Sequence, residues 1–282
     1  MWLTRAISRG MLRVLLKPTR AYTVLYPNDL DRLRKHVRPG DVLLIEGNNR
    51  ASAAIKFLTN SMWSHAALYI GDHLCRVGHP EARRYDCEHG GEGCCLLIEA
   101  LPDEGVIASP ISKYLDFNLR LCRPFGLTPE DSRRVIDEAV AHLGDRYDMK
   151  NVFDLTRYFL PFQFIPVRYR RTALHFGSGV PTEAICSSVI AQAFGTVRFP
   201  IMPDVTYPEP GLERLPLGRA ILGRESDRYT GLFQMRHPTL VTPRDFDLSP
   251  YFAIVKFNLI EDGGFDYRKI HWREEGEDSK ER

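Results

Sequence analysis

The sequence predicts an α+β fold built on an antiparallel sheet, because of the order of its apolar segments. Short apolar runs typical of strands occur in the first half of the chain and again near its end, and the clearest helical patterns lie between them. Strands and helices do not alternate regularly, which argues against a parallel βαβ sheet. With 282 residues and 44% apolar side chains, the chain can bury one large core or two modest ones.

Five segments are predicted to be strands, because each is a short and mostly apolar run beside turn-forming residues. The turn Pro39-Gly40 precedes the first run, and the turn Gly71-Asp72 ends the second. In chain order the runs are DVLLIEG, SHAALYIGD, CLLIEA, NLRLCRP and YFAIVKFNLI.

Four segments are predicted to be helices, and one of them carries a clear start signal. Thr128 is the expected N-cap of that helix and Pro129 takes its first position. A shorter helix, DLDRLRKHV, is expected to be capped by Asn28, and ASAAIKFL is expected to form another. The fourth helix is predicted to begin near Cys186 and to end at Gly195.

The remaining segments suggest how the chain is divided. Residues 1–28 form a basic amphipathic segment, residues 29–260 a single domain, and residues 261–282 a charged tail that is expected to fray. Inside the domain, residues 73–93 are polar and rich in Gly, Arg and His, and they are predicted to form a long loop or an extended hairpin. The proline-rich stretch before residue 250 is expected to wrap the core irregularly.

The first twenty residues are basic but lack the pattern of a signal peptide. Basic residues recur every fourth position and interrupt every apolar run, so we expect no secretory leader. The spacing favours an amphipathic helix that either packs on the domain or lies on a membrane surface, with about equal weight. No run of about 18 apolar residues predicts a membrane-spanning helix. The basic residues are Arg5, Arg9, Arg13 and Lys17.

Overall charge and cysteine content indicate which partners and which cellular compartment to expect. The formal net charge of +2 gives no reason to expect nucleic acid as a partner. Six irregularly spaced cysteines do not make a disulfide scaffold, and we expect mostly reduced thiols in a cytoplasmic protein, either free or peripheral on the inner face of the membrane. The Cys and His residues of segment 73–93 match no common zinc-ligand spacing, so no metal and no cofactor is expected.

Cys186 is the candidate nucleophile. It follows a glycine-bearing loop and a proline, and small and apolar residues at helical spacing come after it, so it is expected in the first turn of a helix. The exposed N–H groups and the positive dipole end there favour the thiolate, and the same N–H groups can hold an oxyanion. The competing interpretation is a buried structural cysteine, which on this segment alone has the better chance.

His65 and Glu99 are the candidate partners of that thiol. His65 begins an apolar strand, where an imidazole has no packing reason to be, and Glu99 ends another. If the two strands are antiparallel neighbours, the carboxylate can orient the imidazole, which in turn activates the thiol. A core histidine and a rim carboxylate are the competing interpretations. His73 is a rival for the orienting role, although it follows a turn.

An ordered set of motifs resembles the circularly permuted branch of the NlpC/P60 papain-like superfamily, and more narrowly the YiiX/YebB-like (YaeF/YiiX) cysteine hydrolases. The motifs are RPGDVLLIEG, WSHAALYIGD, LLIEA followed by GV, LGDRYD, and ICSSVIAQAF, over roughly residues 38–195. The order histidine, acid, cysteine is that of the permuted branch, which also includes the lecithin–retinol acyltransferase-like enzymes.

The resemblance implies a papain-like core, in which the cysteine-bearing helix packs on an antiparallel sheet or a small barrel that carries the other two residues. It assigns the nucleophile, base and orienting acid to Cys186, His65 and Glu99, and it adds Tyr147 as a pocket residue. The sequence departs from relatives in three ways. The cysteine is followed by SSV rather than by an acidic residue, and residues 73–93 form a long insert. The second histidine of the acyltransferase-like relatives has no counterpart at its usual spacing, which favours Glu99 as the orienting acid. These departures leave the substrate open.

The residues together predict a cysteine hydrolase of the amidase or peptidase type. It would cleave an amide bond in a small peptide or an amino-acid conjugate through a thioester acyl-enzyme. Trp63 and Ser64, which precede His65, are predicted to line the substrate pocket with Tyr147. One alternative is a lipid-directed thiol acyltransferase or esterase, held at a membrane surface by residues 1–20. Another is a non-catalytic binding module with the same fold.

Overall fold

The structure is a computed structural model that describes residues 17–18, 22–25, 27–87, 91–102, 104–145, 183–206 and 232–257, apart from the side chains of 183–185, 205–206 and 232–233. Most of the basic segment, Tyr147 and the charged tail lie outside the described residues. The expected domain limits at residues 28 and 260 therefore stay predictions.

Eight strands lie within the described residues, and six of them form one antiparallel sheet. The strands are β1 (Val42–Glu46), β2 (His65–Gly71), β3 (Leu96–Leu101), β4 (Gly105–Pro110), β5 (Asn118–Pro124), β6 (Asp204–Thr206), β7 (Leu232–Gln234) and β8 (Phe252–Val255). The large sheet has the order β4-β3-β2-β1-β5-β8, and β6 pairs with β7 separately. The α+β prediction is confirmed. The sequence left open whether this sheet is flat or closed into a small barrel. The large sheet is open, so the barrel alternative is wrong.

The described helices include those that the sequence predicted. They are α1 (Leu30–His36), α2 (Arg50–Thr59), α3 (His73–Arg76), α4 (Pro129–Ala141), α5 (Glu183–Thr196) and α6 (Pro243–Leu248). Thr128 caps α4 as expected, since its hydroxyl accepts from the Asp131 N–H at 3.1 Å. The cap of α1 is Asp29 and not the expected Asn28, whose side-chain amide donates to the carbonyls of Leu115 and Phe117 instead.

The two faces of the large sheet carry separate cores, because successive strand side chains point to opposite sides. One face is covered by α4 and α5, and its strand side chains include Leu44, Ala66 and Ile98. The opposite face is covered by α1 and by a 3₁₀ turn at Ile111–Tyr114, and its strand side chains include Leu43. Each fully buried aliphatic side chain stabilises the fold by about 1.5–3 kcal/mol, so both layers hold the sheet rigid.

The insert between β2 and β3 is neither the long loop nor the extended hairpin that the sequence predicted. It contains α3 and two 3₁₀ turns, at Pro80–Arg84 and Glu92–Cys94, and a disulfide joins Cys75 to Cys87. Gly93 has to be a glycine, because a Cβ there would lie 2.9 Å from Cys75 Sγ and 2.7 Å from the Asp86 carbonyl oxygen. Sequence spacing gave no sign of this disulfide, since its two cysteines are brought together only by the folded turns. The remaining cysteines, Cys94, Cys95, Cys122 and Cys186, are not disulfide-bonded.

The proline-rich region before residue 250 contains more regular structure than the sequence predicted. Within its described residues lie β6, β7, α6 and a 3₁₀ turn at Pro238–Leu240. Helix α6 starts with a capping box in which Thr242 and Asp245 exchange hydrogen bonds between side chain and backbone. None of the helices in the described ranges is long and apolar enough to cross a membrane.

Candidate active site

Cys186 is the fourth residue of α5, so it lies in the first turn of the helix, as the sequence predicted. Its side chain belongs to the core between α5 and the sheet, and the residue is 4% exposed. The backbone N–H of Ser187, the next residue of α5, and that of Ala66 on β2 both hydrogen-bond to the sulfur. The sulfur therefore faces two N–H donors from different elements, which is an environment that favours a thiolate.

His65 is the first residue of β2 and lies where that strand passes the start of α5. It pairs with Ile45 of β1, whereas the pairing of β2 with β3 starts three residues later, at Leu68 and Ile98. The imidazole is hydrogen-bonded both to Cys186 and to Glu99. Because Nε2 lies 2.7 Å from Glu99 Oε2, Nδ1 is the ring nitrogen that remains for the sulfur.

Glu99 lies on β3 and is 1% exposed, so its carboxylate depends on protein partners. Each of the two carboxylate oxygens accepts hydrogen bonds from two side chains. Oε2 accepts from His65 Nε2 and from the Tyr114 hydroxyl. Oε1 accepts from the Ser109 hydroxyl and, at 2.6 Å, from Lys113 Nζ. The carboxylate is thereby fixed in position and orientation between β2, β4 and the 3₁₀ turn.

The charges of these groups stabilise one another. Burial lowers the pKa of His65 by itself, but the Cys186 thiolate and the Glu99 carboxylate raise it to about 10. Burial raises the pKa of Cys186, yet the positive imidazolium and the two backbone N–H groups hold that pKa below its usual range. Burial likewise raises the pKa of Glu99, and His65 and Lys113 outweigh it, so that pKa is lowered. The favoured state is a thiolate–imidazolium pair beside an ionised carboxylate.

The site is recessed, although it is connected to the surface. Cys186 is nearly covered, but the side chain of His65 keeps 16% of its surface exposed. A small electrophile can therefore approach along the imidazole. The low exposure of the sulfur keeps water away from the ion pair, which strengthens each interaction within it.

The sequence also predicted three pocket residues, of which the structure describes Trp63 and Ser64. Trp63 and Ser64 are buried next to His65: the indole Nε1 donates to Asp247 at 3.0 Å, and the Ser64 hydroxyl accepts from the Gly47 N–H at 2.9 Å. Tyr147 lies outside the described residues. Their place in a substrate pocket stays a prediction.

His73, the rival for the orienting role, pairs elsewhere. Its Nε2 lies 3.0 Å from Asp137 on α4, and burial lowers its pKa. The structure thus brings together Cys186, His65 and Glu99 and leaves His73 outside that group.

Sequence analysis missed Ser109, Lys113 and Tyr114, which surround Glu99. Ser109 lies on β4, a strand that the sequence did not predict, and Lys113 and Tyr114 lie on the 3₁₀ turn directly after it. The segment GVIASP, which has an apolar start and follows a turn, was a usable signal for that strand. The rule that a buried carboxylate needs donors could then have directed attention to ASPISKY as their source.

Comparison with protein families gives one match. Residues 36–178, about half of the chain, match the model of a family described as permuted papain-like amidase enzyme, YaeF/YiiX, C92 family. The matched range includes His65 and Glu99 and ends before Cys186.

Comparison with solved structures gives a match to a crystal structure titled metalloprotein yiiX from Escherichia coli O157:H7. The two chains are 17% identical, the TM-score is 0.41, and the match covers 78% of this chain and 96% of that one. The comparison with curated proteins found no match.

Proposed function

The chain belongs to the permuted papain-like amidase family of YaeF/YiiX type, C92, and on that premise we propose that it cleaves an amide bond in a small peptide or an amino-acid conjugate through a thioester acyl-enzyme. The family makes it a cysteine hydrolase. The observation that carries the finer proposal is the continuous hydrogen-bonded chain from Cys186 through His65 to Glu99.

In the first half of the proposed reaction, the Cys186 thiolate attacks the carbonyl carbon of the amide. The new S–C bond pushes the carbonyl electrons onto oxygen and produces a tetrahedral oxyanion. When the C–N bond breaks, the imidazolium of His65 gives its proton to the leaving amine, which departs neutral. A thioester on Cys186 and a neutral imidazole remain.

The oxyanion needs hydrogen-bond donors that are in place before the reaction. The backbone N–H groups of Ser187 and Ala66 hydrogen-bond to the sulfur, and the oxyanion forms two bonds away from that sulfur, so these N–H groups are the proposed donors to it. Donors fixed on a helix and a strand need no rearrangement as the charge develops, and such donors are worth about 2.7–4 kcal/mol each in acyl-transfer enzymes.

In the second half, neutral His65 takes a proton from a water molecule as that water attacks the thioester. The C–S bond breaks, the carboxylic acid product leaves and the thiolate returns. Glu99 contributes in both halves, because its hydrogen bond to Nε2 holds the ring so that Nδ1 faces the sulfur and the incoming water.

The recessed sulfur supports a small substrate. Cys186 is nearly covered and, of the two reacting side chains, His65 keeps the larger exposed surface, so a short peptide or a single conjugated amino acid is a better fit at the nucleophile than a bulky folded protein. The lipid-directed alternative rests on residues 1–20, of which the structure describes only two. It stays a prediction.

The decisive experiment is site-resolved labelling with iodoacetamide, followed by mass spectrometry, on the wild-type protein and on His65→Ala. We expect Cys186 to be alkylated faster near neutral pH than Cys94, Cys95 and Cys122, because the imidazolium keeps it ionised. His65→Ala should slow Cys186 at least about tenfold, since the thiol then returns toward its ordinary pKa.

The matched control is His73→Ala, which removes a buried histidine that is paired with Asp137 rather than with the thiol. It should leave the alkylation rate of Cys186 unchanged. If Cys186 reacts no faster than the other three cysteines outside the disulfide, or if His65→Ala does not slow it, the proposed nucleophile–base pair is wrong.

A further inference from the structure

Lys113 lies next to the candidate active site without touching the nucleophile or the base. Its Nζ donates to Glu99 Oε1 at 2.6 Å, from the 3₁₀ turn Ile111–Tyr114, and lies 5.1 Å from the centre of the Tyr114 ring. The lysine side chain is 38% exposed, whereas the carboxylate that it contacts is buried. A cation is therefore held at the rear of the carboxylate, on the oxygen that His65 does not use.

The proposed reaction explains why a second cation matters. While His65 is an imidazolium, it compensates the negative charge of Glu99. Once His65 has given its proton to the leaving amine, Glu99 would be a buried carboxylate whose remaining donors, Ser109 and Tyr114, are neutral. A carboxylate in that position draws a proton to itself or holds the one on the imidazole. Lys113 takes no part in this proton transfer, and its ammonium group, hydrogen-bonded to Oε1, counters this tendency.

We propose that Lys113 is a positioning residue that keeps Glu99 ionised in both halves of the reaction, so that His65 can release and regain its proton. Lys113, Glu99, His65 and Cys186 then form a row of alternating charges, with the ammonium group at one end and the nucleophile at the other. The inference rests on the proposed function, because it assigns a role within that reaction.

The other titratable groups around Glu99 do not supply this charge. Tyr114 stays protonated, because burial and the adjacent carboxylate raise its pKa. Tyr85 of the insert, whose hydroxyl donates to the Ala108 carbonyl, has a raised pKa for similar reasons. Glu104, in the turn between β3 and β4, is an acidic residue, and it raises the pKa of Tyr114 further. Among the described neighbours, Lys113 is the one lysine or arginine that contacts the carboxylate.

The test is the pH dependence of Cys186 alkylation by iodoacetamide, measured without any substrate. The rate should rise in two steps, the first when Cys186 ionises beside the imidazolium and the second when the imidazolium loses its proton and frees the thiolate. Lys113→Met removes a positive charge, so every proton of the cluster is held more tightly. Both steps should therefore move to higher pH, by about half a unit.

Three further variants separate this role from a structural one. Lys113→Arg keeps the charge and should restore both steps, and Lys113→Gln should repeat the shift of Lys113→Met with a polar side chain. Lys56→Met breaks a similar lysine–glutamate pair, with Glu46 at 2.7 Å, and should leave both steps unchanged. A purely structural role of Lys113 would lower the melting temperature without moving the steps.

The same measurements distinguish failure of the Lys113 role from failure of the proposed function. If wild-type Cys186 shows one step at the pH of an ordinary thiol, the nucleophile–base pair itself is absent. If the wild type shows two steps and Lys113→Met shows them at the same pH or lower, the pair stands and the role of Lys113 is wrong. A shift in Lys113→Met that Lys113→Arg fails to reverse contradicts the charge argument.

Discussion

Two carboxylates in this protein are equally buried, at 1% exposure each, and yet they behave in opposite ways. Asp41 precedes β1 and receives two hydrogen bonds from Arg123, at 2.9 and 2.7 Å, and one from the Arg38 N–H. Burial dominates there, so the pKa of Asp41 is raised. Glu99 accepts from four side chains, two of which are positive when His65 is protonated, and its pKa is lowered.

The two carboxylates differ in whether their partner side chain can change its charge. Arg123 cannot lose its proton in a protein, so the partner of Asp41 keeps one charge, and the pair joins β5 to the turn before β1. His65 titrates, and it touches a thiol that titrates as well. A buried ion pair therefore becomes a site for proton transfer when one member can change charge and the rest of the cluster keeps its own.

The largest effect is expected on the free energy of unfolding, when the Arg123–Asp41 pair is broken. Arg123→Met leaves Asp41 buried without its cation, which should lower the free energy of unfolding by about 3 kcal/mol. Urea denaturation at neutral pH measures this. The two steps of Cys186 alkylation should not move, because Arg123 does not contact the site. A loss below about 1 kcal/mol would mean that the pair is as weak as a surface ion pair.

A second effect should appear at the titrating cluster. Glu99→Gln removes the carboxylate that raises the pKa of His65, so the second step of Cys186 alkylation should move down from about pH 10 by roughly one to two units. This direction is opposite to that expected for Lys113→Met. Asp41→Asn is the matched control at the other buried carboxylate and should leave the step in place. An unchanged step in Glu99→Gln would show that Glu99 does not control His65.

The smallest effect concerns stability in acid. The pKa of Glu99 is lower in the folded protein than its usual value of 4.5, so its stabilisation is present above that pH and is lost as the pH falls. The raised pKa of Asp41 has the opposite sign and adds nothing to acid sensitivity. Between pH 6 and about 3.5, unfolding experiments should show a shallower loss of stability in Glu99→Gln than in the wild type, and no such flattening in Asp41→Asn. Equal slopes in all three proteins would contradict the comparison.

The sequence by itself determined much of the fold. Five strands, the helix capped by Thr128 and the helix that begins near Cys186 follow from local apolar patterns and capping chemistry, which act over a few residues. It also singled out His65 and Glu99, because a titratable side chain on an apolar strand conflicts with its surroundings. Such a conflict can be detected without knowing which residues lie across from it.

Only the tertiary structure decided how these parts meet. The open sheet and the disulfide between Cys75 and Cys87 depend on contacts that local patterns do not encode. The same is true of the four donors to Glu99, of which Lys113 is an ordinary surface residue by sequence. A pKa is set by the charges and hydrogen bonds within a few ångströms in space, and residues far apart in the chain supply them. Sequence could name the acid, but the fold determined its charge.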